Sequence, residues 1–111
     1  MRVLKKFEIG TERWTAYLVS KKNKRMTDPE GDVCEGRIFY DERKIFINQD
    51  IPESARAHTL FHEIIHAVLW VSGANKVYNC DDKKDELIVS AITPILHRLV
   101  TDFGFSFLHS G

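Results

Sequence analysis

The chain has 111 residues, 43% of them apolar, and sixteen basic residues balance sixteen acidic ones. This is the composition of one folded domain, residues 1–111, not of a disordered tail. With no net charge, no overall field draws it to nucleic acid or an anionic membrane. The opening "MRVLKKFEIG" has no apolar stretch of the signal-peptide kind, and no run of about 18 apolar residues occurs anywhere. The cytoplasm is therefore the expected compartment, with no membrane partner.

In chain order, "RVLKKFEI" and "RWTAYLVS" are rich in β-branched and aromatic residues and flank a Gly10-Thr11-Glu12 turn signal. They predict two strands. A polar excursion follows, "KKNKRMTDPEGD", where Pro29 and Gly31 mark a loop. Four of residues 21–25 are basic, which raises the question of nucleic-acid contact. Asp28, Glu30 and Asp32 follow at once, so a solvated loop is expected and no nucleic-acid partner. "GRIFY" and "KIFIN", joined by a short polar link, read as an antiparallel hairpin. Cys34 and Cys80 lack metal-type spacing and are expected as reduced thiols; Trp14 and Trp70 are expected in the core or a cleft wall.

The period then changes. Ala57, Leu60, Ile64, Val68 and Val71 recur at helical spacing, predicting a helix from Pro52 to Ser72 with Gly73 as its stop. A short link leads to a second helix from about Asp82 to Phe103. Its expected buried stripe is Ile88, Ile92, Ile95, Leu96, Leu99 and Phe103, and Pro94 predicts a kink or break near Thr93. The closing "GFSFLHSG" reads as a packed tail or a brief strand. Strands first and helices second make an α+β fold: a small antiparallel sheet of three to four strands followed by two packed helices, both lying on one sheet face.

Three of the five histidines, His58, His62 and His66, stand four apart in the first helix, and Glu63 follows the second of them. Residues four apart lie one helical turn above each other, with Cβ atoms about 5–6 Å apart. Two imidazoles so placed can converge on one ion, whose bonds to nitrogen are about 2.0–2.1 Å long in the case of zinc. Glu63 projects roughly 100° around the axis from His62. It is badly placed as a ligand but well placed to act on a water beside the ion. Two histidines as metal ligands and a carboxylate as general base is the division of labour of metal-assisted hydrolysis. His62 and His66 also lie opposite the Leu60/Ile64/Val68 stripe, flanked by Ala55, Ile65 and Leu69. Polar groups in such a wall need partners, and a metal supplies one. His58 continues the row, where it can support a ligand, polarise a carbonyl or simply line the cleft mouth.

A hydrolytic zinc needs a third protein ligand, and "DDKKDELIVS" is the nearest acidic source. Glu86, on the polar edge beside the apolar stripe, is the expected ligand. Asp85, in line with Ile88, Ile92 and Ile95, is its rival. Asp81 or Asp82 is expected to cap the helix.

"TLFHEIIHAVLW" and "DELIVSAITPILHRLVTDFGF" together resemble the gluzincin class of zincin-like metallopeptidases, especially the very small ones of phages and prophages and, more distantly, the catalytic core of the ImmA/IrrE group. The likeness spans roughly residues 34–105; Pro94 inside the glutamate helix departs from it, and so does the lack of an "LLMP"-like continuation. It implies His62, His66 and Glu86 as ligands of one Zn²⁺, Glu63 as general base, and a peptide or protein as substrate. It further implies that a strand near the cleft, "KIFIN" on this reading, pairs with extended substrate. Tyr78, Tyr40 and His58 are candidates for stabilising an oxyanion. A non-catalytic protein-binding module on the same scaffold, of the kind phages use against host components, is the alternative.

Overall fold

The structure is a computed structural model that describes residues 1–77 and 82–102. In it, strands β1 (Arg2–Ile9), β2 (Glu12–Val19), β3 (Gly36–Phe39) and β4 (Lys44–Asn48) precede helices α1 (Glu53–Ser72), α2 (Ala74–Val77) and α3 (Asp82–Asp102). The α+β reading holds, with four strands and two long helices. Cys80, Tyr78, Phe103 and the closing segment lie outside the described residues.

The β1–β2 hairpin closes through a two-residue loop, Ile9 pairing with Glu12. Gly10 takes φ 60° there, as hairpin turns with glycine at the first central position require. β3 and β4 form the expected antiparallel hairpin. The sheet order is β1-β2-β4-β3, however, and β4 runs parallel to β2, so the sheet is mixed and not wholly antiparallel. The reason lies in the strands themselves. "KIFIN" is apolar on both faces: Ile45 and Ile47 are wholly buried on one and Phe46 is 1% exposed on the other. Such a strand belongs inside a sheet. β3 is only half-buried along its length and takes the edge.

Alternation along β2 divides the interior. Trp14, Ala16 and Leu18 face the helices and build the main core with Ile45, Ile47, Leu60, Ile65 and Val89. Val19 joins Phe46 and Met26 on the other face, under the 20–35 segment. Arg37 fastens that segment, donating to the carbonyls of Arg25 and Thr27 at 3.2 and 2.8 Å. Arg25 lies over the rings of Phe39 and Phe46 and pairs with Glu42 at 3.0 Å. The basic run is thus partly a structural clamp, with Lys21, Lys22 and Lys24 left exposed.

α1 ends as expected: Gly73 adopts a left-handed conformation, φ 75°, and its N–H closes on the Trp70 carbonyl. Its buried surface is broader than the predicted stripe and displaced from it. Phe61, Glu63, Ile65, His66 and Ala67 are buried, whereas Val68 is exposed. The cause is contact on two sides, since α1 is wedged between the sheet and α3. α3 packs chiefly on α1, not on the sheet beside it as expected. Its buried line runs through Val89 and Thr93, both 0% exposed, while Ile95 and Leu99 of the expected stripe face outward. The predicted break at Thr93 is absent. The helix continues through Pro94, and the Thr93 hydroxyl donates to the Val89 carbonyl at 2.6 Å.

Candidate metal centre

The middle of α1 and the first turn of α3 meet beside the β3 edge, and there the expected residues converge. His62 Nε2 is 2.8 Å from Glu86 Oε1, and His66 Nε2 is 2.9 Å from Glu86 Oε2. One ligand atom from each of the three can be chosen so that all lie within 4.8 Å of one another. Asp85 is not a third ligand in this arrangement. Its Oδ2 lies 2.7 Å from His66 Nδ1, on the far side of the ring from Glu86. A carboxylate there accepts the Nδ1 proton and leaves the Nε2 lone pair directed at Glu86.

This donor set suits a cation. A neutral His66 that gives its Nδ1–H to Asp85 offers only a lone pair to Glu86, and two acceptors 2.9 Å apart require a proton or a cation between them. Burial holds the His62 imidazole below its ordinary pKa; nearby His66 and His58 push the same way and Glu86 opposes them. The neutral form that results is the one that ligates. Two imidazoles and a carboxylate, with Glu86 more than half exposed on the open side, could together hold a metal ion.

Glu63 sits differently. It is only 8% exposed and its carboxylate has no hydrogen bond among the described residues. Burial pushes its pKa up to about 7; the Glu86 charge adds to this, while His66 and Arg37 oppose it. The side chain lies under Gly36 of β3. A Cβ at Gly36 would stand 2.7 Å from Thr59 Cγ2 and 3.3 Å from Glu63 Cγ. The strand approaches the helix this closely because residue 36 has no side chain. No sequence signal marked that glycine, since it stands at the start of a strand with no turn to explain it.

A cleft runs between β3 and α1 with Glu63 at its centre. A limb of about 450 Å³ extends toward Glu35 and His58, and one of about 260 Å³ toward Ile38 and Tyr40. His58 is an exposed wall residue with its ring 5.4 Å from that of His97, a neighbour not anticipated from sequence. Tyr40 lines the other limb and packs on Trp70. Trp14 is core and Trp70 half-buried against it, as expected. Cys34 is a free thiol, as expected. The strand bordering the cleft is β3; "KIFIN" is interior, hydrogen-bonded on both sides, and cannot accept a further strand.

Compared with known protein families, curated proteins and solved structures, the chain matches none.

Proposed function

We propose that the chain is a metal-dependent peptide hydrolase of minimal gluzincin type, with His62, His66 and Glu86 holding one Zn²⁺ and Glu63 as general base. The observation that carries this reading is the position of Glu63: a buried carboxylate with no hydrogen bond, opening on a cleft beside two imidazoles and a third donor. A carboxylate whose pKa burial raises, set in a cleft beside other titratable groups, is the kind of group that functional sites hold.

When bound, zinc would supply Lewis acidity, acidifying a water and polarising the scissile carbonyl. The chain's own residues do the rest. Glu63, opening on the cleft beside the two imidazoles, takes a proton from the attacking water and passes it to the leaving amine. Asp85 holds His66 in the tautomer and orientation that a ligand needs. The β3 edge, Gly36–Phe39, offers backbone groups to an extended peptide in place of the interior strand first expected to do so.

The test is Glu63→Gln. The variant is expected to keep about one zinc per chain while cleavage of a mixed peptide library falls by roughly 10²–10⁴. Unchanged turnover rules out the assigned base. A zinc-loaded wild type that cleaves nothing, with a chelator control alongside, favours the binding-module alternative.

A further inference from the structure

Both limbs of the cleft carry carboxylates, and they differ in their basic and apolar walls. The larger limb is walled by Glu35, His58, His62 and Glu86 and has no lysine or arginine among the described residues of its lining. The other limb also carries Asp85 and Glu86, but these carboxylates face His66, and it adds Ile38, the Tyr40 ring and the Arg37 cation, which donates to two carbonyls. Among the described residues Glu35, like Glu30 and Glu53, has no cation partner, and of these three it alone lines the cleft. Glu8, Glu12 and Glu42 each pair with an arginine. The Glu35 carboxylate is exposed and has no ion pair or hydrogen bond among the described residues. Its backbone is nonetheless fixed, its carbonyl accepting from the Asn48 N–H at 2.8 Å. Glu63 opens on the same limb, buried to more than nine-tenths and without a hydrogen bond among the described residues, so the limb leads to the reacting position.

Resting on the hydrolase reading, we propose that this limb is a subsite for a basic side chain: the lysine or arginine of a residue next to the scissile bond, with Glu35 as its counter-ion. The opposite limb then takes an apolar or aromatic neighbour against Ile38 and Tyr40. With Glu86 given to the metal, a cation entering the limb meets the Glu35 carboxylate, which no lysine or arginine of the described lining offsets. An acidic side chain is repelled by the same Glu35 carboxylate, so the limb selects by exclusion as well as by attraction.

The experiment uses the full chain loaded with zinc. Glu63→Gln protein, which leaves peptides intact, is titrated by fluorescence anisotropy with matched octapeptides carrying lysine, glutamine or glutamate at one central position. In parallel, wild-type cleavage sites are mapped on a peptide library. The lysine peptide is expected to bind about 3–5-fold more tightly than the glutamine peptide, the upper end of what an exposed ion pair gives. That margin should fall below about twofold when Glu35→Gln is added, and Glu35→Lys should turn the preference toward the glutamate peptide. Cleavage sites should carry a basic residue on one constant side. Equal binding of the three peptides, or a lysine preference that survives Glu35→Gln, overturns the subsite even if hydrolysis is seen. Charge-selective binding that depends on Glu35, with no cleavage by wild type, supports the subsite and overturns the hydrolase reading alone. Because Glu35 is exposed, an unchanged circular dichroism spectrum checks that its variants fold.

Discussion

Gly36→Ala is the most informative single change, because its cost follows from one distance. The new methyl would stand 2.7 Å from Thr59 Cγ2, roughly 0.7 Å inside the 3.4 Å at which ordinary contact begins. Thr59 is 8% exposed and β-branched on a helix, so its methyl has few places to go. Either χ1 changes or β3 and α1 move apart. Overpacking of this kind costs about 1–3 kcal/mol. Against it stands a gain of about 0.4–1 kcal/mol, because Gly36 has no positive φ and alanine restricts the unfolded chain. A net loss of about 1–2 kcal/mol is expected by urea denaturation. Thr59→Ser removes the obstructing methyl at a cost of about 1 kcal/mol for the lost burial. In the double variant the two losses should not add: the pair is expected to be more stable than their sum by about 1 kcal/mol or more. Peptide hydrolysis should stay impaired even so, because the methyl still crowds Glu63 at 3.3–3.4 Å. Additive losses, or a Gly36→Ala protein as stable as wild type, would refute the close approach on which the cleft geometry depends.

Asp85→Asn should weaken zinc binding about 10-fold or more in chelator competition, with little change in the circular dichroism spectrum, since it removes the charge that orients His66. An unaltered affinity would return Asp85 to a plain structural role. Glu63 gives a pH signature in metal-free protein. An acid whose folded pKa is raised destabilises the fold as pH climbs from its ordinary value of 4.5 to about 7, and no further above that. Relative to wild type, Glu63→Gln should therefore gain stability across that window, on the order of 3 kcal/mol at pH 8. A difference that does not vary with pH would contradict the burial argument. In α3, Val89→Ala should cost about 2 kcal/mol and Ile95→Ala less than about 0.5, as their opposite exposures require. The reverse order in urea titrations would show that the helix is rotated from the position described.

The chain's local signals fared well where neighbouring residues decide the outcome. Turn chemistry at Gly10 and Gly73, strand alternation in β2 and helical periodicity from Glu53 onward could all be read directly, because each depends on residues a few positions apart. The spacing of His62, Glu63 and His66 belongs to this group, since a single helix sets it. Periodicity failed where more than one partner covers an element. It chose Val68, Ile95 and Leu99 as buried because it assumes one apolar face, whereas α1 is enclosed on two sides and α3 is turned toward α1. It could not say that "KIFIN" lies inside the sheet and parallel to β2, because the partner strand is some thirty residues away in sequence.

The centre divides along the same line. Residue types and one-turn spacing are properties of the sequence, and they singled out two imidazoles and an adjacent carboxylate before any fold was known. Which acid of the neighbouring Asp85 and Glu86 meets both imidazoles, and which supports one ring from behind, depends on how α3 is rotated against α1. That Gly36 makes room for Glu63, and that Glu35 and His58 face each other across a cleft, depends on how closely β3 approaches the helix. Contacts within one helical turn are written in the order of residues. Contacts between elements far apart in the chain exist only once the core has closed and fixed their distances.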